Sequence, residues 1–212
     1  MKQFSTDNRF FDCMGNIGDW IILNILFVFT SLPVITIGMS LTAMYQVALR
    51  RTRGEGVYVV REYLQACRTE WKQSTKLWMI FLFTGGILLF DVLYSKNLWS
   101  LLNVAIGCLS AIWCFVFCYA FPLQARIENN IKNTLRNALL LAVKNLPYTL
   151  IMVLLNNIPA VCIAAGVFAV QMAAPVYCAI GFSLTARINS IFLSRIFRAF
   201  DKEEKHADLS RL

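Results

Sequence analysis

The sequence predicts an all-α fold, a polytopic helical membrane bundle in which residues 1–212 form a single integral membrane domain with about five spans. Hydrophobic residues make up 58% of the chain and charged residues only 15%, whereas a soluble domain has about 25% charged residues. Four stretches contain no charged side chain, at 20–49, 77–90, 97–125 and 145–186. Because about 20 apolar residues in a helix cross a hydrocarbon core of roughly 30 Å, this pattern excludes a soluble globular protein.

The first uncharged stretch, residues 20–49, would be about 45 Å long as one straight helix, which exceeds the bilayer core. Pro33 lacks the N–H that a helix needs and its ring clashes with the preceding turn, so we expect a break between Leu32 and Thr36. Two paths fit this length: a Pro-broken single span, or a re-entrant hairpin that returns to the side it entered. The simplest span count takes the single span.

Four further spans are predicted, at 77–94, 98–121, 147–170 and 173–194. Only Ser95, Lys96 and Asn97 separate the first two of these, which predicts an antiparallel pair. The 42 uncharged residues from 145 to 186 are too many for one crossing and sufficient for two, with a turn near 171–175. Residues 195–212 form a charged tail.

The Lys and Arg residues predict the orientation, because cytoplasmic connections carry an excess of these residues. With the first residues outside, the inner connections 50–76, 126–144 and 187–212 hold 17 of the 20 Lys and Arg residues. We therefore expect a multi-pass cell-membrane protein with a cytoplasmic C-terminus and an extracellular N-terminus. A re-entrant first segment would place residues 1–19 inside as well, and the charge count does not exclude it.

Two of the inner connections are predicted to be amphipathic cytoplasmic helices. The apolar residues at helical spacing are Val60, Leu64, Cys67 and Trp71 in the first and Ile131, Leu135, Ala138 and Ala142 in the second. Together with the basic residues Arg50, Arg51 and Arg53, these helices are candidates for a surface that contacts membrane lipids or a partner protein. For the basic residues, a phosphate ligand or a docking site is the alternative to anionic lipid.

Polar residues and prolines within the apolar spans mark candidate ligand contacts, because an unpaired amide or carboxylate is costly in lipid and usually faces the bundle interior. The candidates are Asn24, Pro33, Asp91, Asn156, Asn157 and Pro159. Pro33 and the segment 156–159 fall near the middle of their predicted spans, where secondary transporters place interrupted helices around a substrate. The alternative is that these residues only kink the helices and pack them together.

The sequence lacks the residue combinations of known membrane enzymes, so we expect no enzymatic activity. The single histidine, His206, lies in the charged tail, far along the chain from Asp91 and Glu128. No two of the seven cysteines have CxxC spacing, so neither a metal nor another cofactor is expected. The basic residues are divided among short connections, which argues against nucleic acid as a partner.

Several short motifs carry a resemblance to a known family. They are Ser31–Gly38 (SLPVITIG), Thr42–Tyr45 (TAMY), Ala48–Arg51 (ALRR), Phe121–Arg126 (FPLQAR) and Ile131–Ala138 (IKNTLRNA). On these motifs most of the chain resembles the YesL-like membrane proteins of Gram-positive bacteria, a family named as a domain of unknown function. The resemblance implies a bacterial membrane protein associated with carbohydrate ABC transporters and carbohydrate utilisation. It assigns no catalytic or binding residues.

Two hypotheses on function follow. The first is a non-enzymatic accessory or interaction subunit for carbohydrate uptake or sensing, whose partner is an ABC-transporter permease or a sensor kinase. The second is a small-molecule transporter or binder with its site at the helix breaks around Pro33 and 156–159. Neither the ligand nor the oligomeric state is predicted by the sequence.

Overall fold

The computed structural model describes residues 4–94, 100–127 and 130–209, and within these ranges the chain is helical, with no strand. Its helices are α1 (Phe4–Thr30), α2 (Ile37–Thr52), α3 (Val59–Tyr94), α4 (Ser100–Gln124), α5 (Ile131–Lys144), α6 (Leu146–Ala164), α7 (Val167–Val176) and α8 (Phe182–Leu209). A 3-10 turn at Val34–Thr36 precedes α2, and a π turn at Tyr177–Gly181 precedes α8. The predicted all-α membrane bundle is confirmed.

Four segments of the described helices are long and apolar enough to cross a membrane, namely Val59–Tyr94, Leu102–Gln124, Leu146–Ala164 and Val170–Ala199. They support a multi-pass membrane protein, and each overlaps one of the second to fifth predicted spans. The predicted turn near 171–175 is wrong, because α6 ends at Ala164 and the chain turns at Gly166. Gly166 has a φ of 106°, a left-handed conformation that glycine adopts without steric strain.

The first apolar stretch folds back on itself, so the single-span path for residues 20–49 is wrong and the re-entrant hairpin describes it. Arg51, near the end of α2, lies beside the middle of α1: its Nη1 is 2.8 Å from Asp19 Oδ2, and its Nη2 donates to Asn16 Oδ1 at 2.7 Å. The break between α1 and α2 falls at Pro33, within the predicted segment. α1 and α2 are therefore antiparallel neighbours joined by a tight tip.

Hydroxyl groups close the tip of this hairpin. Thr36 Oγ1 donates to the backbone oxygen of Thr30 at 2.6 Å, and Ser40 Oγ donates to Thr30 Oγ1 at 2.9 Å. The hydroxyl of Tyr63 on α3 also bonds to Thr30 Oγ1, and the indole N–H of Trp78 donates to Val34 O at 2.8 Å. Because a helix break frees backbone carbonyls that need donors, these bonds stabilise the fold-back.

A glycine allows α2 to approach α3 closely. A Cβ atom at Gly38 would lie 2.3 Å from Trp78 Cβ and 2.6 Å from Ser74 O, which is closer than any stable contact permits. Further along the same face of α2, Thr42, Tyr45 and Leu49 are also buried. The hairpin is thus packed tightly against the first half of α3.

The predicted amphipathic helix 60–71 is not separate, because it forms the first part of α3. This helix has 36 residues and is about 54 Å long, well beyond the thickness of a bilayer core. One face of its first half is buried against α2 through Tyr63, Ala66 and Ser74. Charged residues at 61–76 occupy the rest of this half, which leaves the apolar half from residue 77 to cross the membrane.

The second predicted amphipathic helix forms as α5, but its apolar side faces the protein. Thr134, Ala138, Leu141 and Ala142 are buried, and Ile131 and Leu135 pack half-buried against the core. Ile131 and Leu135, which were predicted to contact lipid or a partner, are therefore partly covered by the core, because α5 turns back along the end of α4.

The second half of α1 packs antiparallel to the start of α8, with Trp20 beside Arg187 and Asn24 beside Ser183. The guanidinium groups of Arg51 and Arg187 each lie 5.4 Å from the ring centre of Trp20.

Candidate functional site

A cavity of about 220 Å³ lies where the hairpin meets α3, α4, α6 and α8. We call it the central cavity. Its wall is largely aromatic, with Phe27, Trp78, Phe117, Phe121, Tyr177 and Phe182 among the lining residues. The polar groups that reach it come from Tyr45 on α2, Asn156 on α6 and Thr185 on α8. A site of this kind, apolar with a few convergent polar groups, is the usual form of a small-molecule site.

Three polar side chains, which we call the asparagine cluster, bond to one another beside the central cavity: Tyr45, Asn156 and Asn189. Asn189 Nδ2 donates to the Tyr45 hydroxyl at 3.1 Å and to Asn156 Oδ1 at 3.0 Å. Asn189 is fully buried, and its own Oδ1 has no hydrogen-bond partner. The asparagine cluster is therefore incompletely satisfied, which is unusual for a buried polar group.

Asn156 and Pro159, two of the predicted site residues, do line the central cavity. Asn156 Nδ2 donates to Cys118 Sγ at 3.3 Å, and a thiol is a weak acceptor. Pro159 lies one turn later inside α6 and has no N–H to donate to the carbonyl of Leu155. Asn157 differs, because its Nδ2 donates to Val153 O at 2.8 Å within its own helix and it does not line the cavity.

Asn24, another predicted ligand contact, serves the backbone instead. Its Nδ2 donates to Tyr177 O at 3.0 Å and to Cys178 O at 2.7 Å, and its Oδ1 accepts from the Ser183 N–H at 2.9 Å. We call this arrangement the asparagine clasp. The π turn at Tyr177–Gly181 disrupts the regular bonding of the helix, and the clasp supplies partners from α1. Its amide is fully used, so Asn24 has little capacity left for a ligand.

Pro33 and Asp91 lie away from the central cavity. Pro33 is exposed at the hairpin tip, where it ends α1 without lining any cavity that the structure describes. Asp91 is half-buried near the far end of α3, 13 residues after Trp78 and thus about 20 Å further along the helix. The structure does not bring these two residues together with Asn156.

The basic residues Arg50, Arg51 and Arg53 are engaged in ion pairs. Arg50 Nε is 2.7 Å from Glu55 Oε2, Arg50 also pairs with Glu62, and Arg53 Nη1 lies 3.9 Å from Glu55 Oε1. The bond to Glu55 and the charge of Glu62 raise the pKa of the Arg50 guanidinium above its ordinary value. These pairs connect the loop after α2 to the start of α3, and they reduce the charge left for a phosphate group.

Three apolar side chains on the first half of α3 are exposed on the surface. Val60, Leu64 and Trp71 are 46%, 44% and 52% exposed, and we call them the apolar stripe. They lie on a different face from the residues that pack against α2. Among the described residues of the chain, no group of three or more His, Cys, Asp or Glu side chains is placed to hold a metal ion.

Sequence reasoning missed Asn189 and Tyr45. Asn189 lies within the predicted span 173–194, so the rule that selected Asn156, a polar residue in an apolar span, applies to it equally. Tyr45 was not selected as a candidate, because a tyrosine in a membrane protein is commonly an interfacial anchor. Nothing local in the sequence indicates that these two residues meet Asn156, since they lie on three different helices.

Residues 20–92 match the sequence profile of a family described as protein of unknown function, DUF624. The predicted resemblance to a family of unknown function is confirmed over this segment. No curated protein and no solved structure matches the chain. The DUF624 segment contains the hairpin and nearly all of α3, and so it supplies Asn24, Tyr45 and Trp78 but neither Asn156 nor Asn189.

Proposed function

We propose that the protein is a non-enzymatic multi-pass protein of the bacterial cell membrane that acts by docking to another membrane protein. As an accessory subunit it serves carbohydrate uptake or sensing, with an ABC-transporter permease or a sensor kinase as its partner. The carbohydrate context comes from the resemblance to YesL-like proteins. The observation that carries the docking role is the apolar stripe of Val60, Leu64 and Trp71.

The apolar stripe is suited to a protein partner because it lies on a rigid support. The adjacent face of α3 is fixed against α2 through Tyr63, Ala66 and Ser74. The stripe therefore needs little ordering when a partner binds. Its Trp71 is the kind of large aromatic residue that dominates interface energetics. Arg61 and Arg68, both exposed, flank it and give the surface a polar rim, which is typical of transient interfaces.

The same proposal places the hairpin and both described ends of the chain on the cytoplasmic side. With α1 inside, 19 of the 20 Lys and Arg residues lie in cytoplasmic segments, which is the strongest asymmetry that any path through the bilayer gives. The apolar stripe then faces the cytoplasm near the membrane, where the intracellular parts of permeases and sensor kinases lie.

Site-specific crosslinking tests the docking role. A photo-crosslinking amino acid replaces Leu64 in one variant and Gln65 in a control, since Gln65 is also exposed on α3 but lies on a different face. We expect adducts with a permease or a sensor kinase at position 64, in cells grown on polysaccharide, and few at position 65. Equal yields at the two positions, or no adduct with either class of protein, would contradict the proposal.

A second candidate function, the transport or binding of a small molecule, is favoured by the central cavity and its Asn156 and Pro159. Asn156→Leu should abolish such a function because it removes a polar group from the cavity wall. Asn157→Leu is the matched control, since Asn157 bonds only to Val153 O in the described contacts. Crosslinking at position 64 should survive both substitutions, which separates this function from docking.

A further inference from the structure

We infer that the central cavity binds a small, neutral, mainly apolar molecule that carries one hydrogen-bond acceptor, and that it does not bind a sugar. This inference rests on the second candidate function and names its class of ligand. It follows from four properties of the cavity: its volume, the aromatic character of its wall, the polar groups at one end, and the apolar clefts beside it.

The size of the cavity limits the ligand to roughly two fused rings. Its volume is about 220 Å³, whereas sites for drug-sized ligands occupy about 300–1,000 Å³ and an engineered apolar cavity of about 150 Å³ binds benzene. A compact bicyclic molecule fits between these limits. A disaccharide or a longer polysaccharide fragment is too large.

The wall of the cavity favours an apolar, aromatic ligand without charge. Rings of Phe27, Phe117, Phe121 and Phe182 line it, and aromatic rings pack well against other rings. Among the described residues that line the cavity, none is Asp, Glu, Lys, Arg or His. A charged ligand would lose its hydration without a counter-ion, and a sugar would leave most of its hydroxyl groups without partners.

The polar end of the cavity offers donors. The Tyr45 hydroxyl already accepts from Asn189, so its own proton is left to donate. The Asn156 amide nitrogen donates to the weak acceptor Cys118, and a better acceptor would compete for it. A carbonyl oxygen is the ligand group that these donors select.

Two apolar clefts adjoin the central cavity through shared wall residues. A groove of about 500 Å³ between α3 and α4 shares Trp78 and Phe117 with it. A smaller cleft between α6 and α7 shares Pro159, Tyr177 and Phe182 with it. Among the described residues that line these clefts, none is charged, so the surroundings of the cavity also favour an apolar ligand.

Three probes of graded chemistry test the inference on the purified full-length protein in detergent. They are 1-indanone, which has a bicyclic ring and one carbonyl, indane, which has the same shape without the carbonyl, and glucose. We expect 1-indanone to raise the apparent melting temperature by a few degrees, indane to raise it less, and glucose to leave it unchanged. Direct binding of 1-indanone should be about three- to ten-fold tighter than that of indane, the usual effect of one hydrogen bond.

The variant Tyr45→Phe keeps the shape of the cavity and removes its hydroxyl donor. In this variant the preference for 1-indanone over indane should shrink, while the binding of indane persists. Asn157→Leu is the control that should behave like the unmodified chain. Detergent takes up the two bicyclic probes in every sample alike, so the comparison between variants cancels this partitioning.

Three results would overturn the inference. One is an equal response to 1-indanone and indane in the unmodified chain, and another is an unchanged preference in Tyr45→Phe. The third is stabilisation by glucose that is lost in Asn156→Leu, which would keep the site and the second candidate function but refute this ligand class. If none of the probes binds, both the inference and a ligand role for the cavity fail, whereas docking through the apolar stripe is unaffected.

Discussion

The asparagine clasp and the asparagine cluster use the same residue type in opposite ways. Asn24 in the clasp makes three hydrogen bonds to backbone atoms, at 2.7–3.0 Å, and has no exposed surface. In the asparagine cluster, Asn189 is equally buried but has an unpartnered oxygen, and Asn156 bonds to a thiol and faces a cavity. A buried amide with complete hydrogen bonds, such as that of Asn24, has no capacity left for a ligand, whereas incomplete bonding leaves such capacity.

The clasp holds α1 antiparallel to the start of α8. The side of the membrane on which α1 starts gives the largest expected effect. In a cysteine-free background, a cysteine replacing Ser5 should react with a membrane-impermeant maleimide only after lysis, because the proposed orientation places the start of α1 on the cytoplasmic side. A cysteine replacing Ala165, in the turn between α6 and α7, should react in intact cells. Labelling of position 5 in intact cells would contradict the proposed orientation.

Asn24→Leu should cause the largest loss of stability among single substitutions in the two asparagine sites. It removes the donor to the carbonyls of Tyr177 and Cys178 and the acceptor of the Ser183 N–H, which costs about 2–4 kcal/mol of unfolding free energy. The apparent melting temperature in detergent measures this loss. Asn157→Leu, which removes one bond within a helix, is the control and should have a much smaller effect. Similar losses in both variants would show that the clasp is not essential.

Gly38→Ala tests whether packing supports the hairpin as strongly as its hydrogen bonds do. The new Cβ would meet Trp78 Cβ and Ser74 O on α3, and such overpacking costs about 1–3 kcal/mol. Gly86→Ala in α3 has no atom within 4 Å of the added Cβ, and since alanine is the better helix former its stability should be unchanged or slightly raised. A thermal unfolding comparison of the two variants decides the point.

The sequence predicted what depends on local chemistry and missed what depends on contacts between distant segments. The break at Pro33 was predicted because proline disfavours a continuous helix, although α6 continues through Pro159. Asn156 was selected because a polar residue is costly in lipid. The sequence did not decide between a single span and a hairpin for residues 20–49, because the deciding contact joins Asp19 to Arg51, which are distant along the chain. The role of Asn24 depends on Tyr177, which lies 153 residues away, and no local pattern indicates that pairing.

Among the four predicted effects, that of Asn189→Leu should be the smallest. It is therefore the most sensitive test of the difference between the asparagine cluster and the asparagine clasp. The substitution removes two bonds, to Tyr45 and Asn156, but it also removes the oxygen that has no partner, and leucine has a similar volume. The expected net cost is about 1 kcal/mol, clearly below that of Asn24→Leu. The apparent melting temperatures of the two variants, measured in the same detergent, provide the test. If Asn189→Leu destabilises the protein as much as Asn24→Leu does, the asparagine cluster contributes as much to stability as the clasp, and its incomplete hydrogen bonding does not distinguish the two sites.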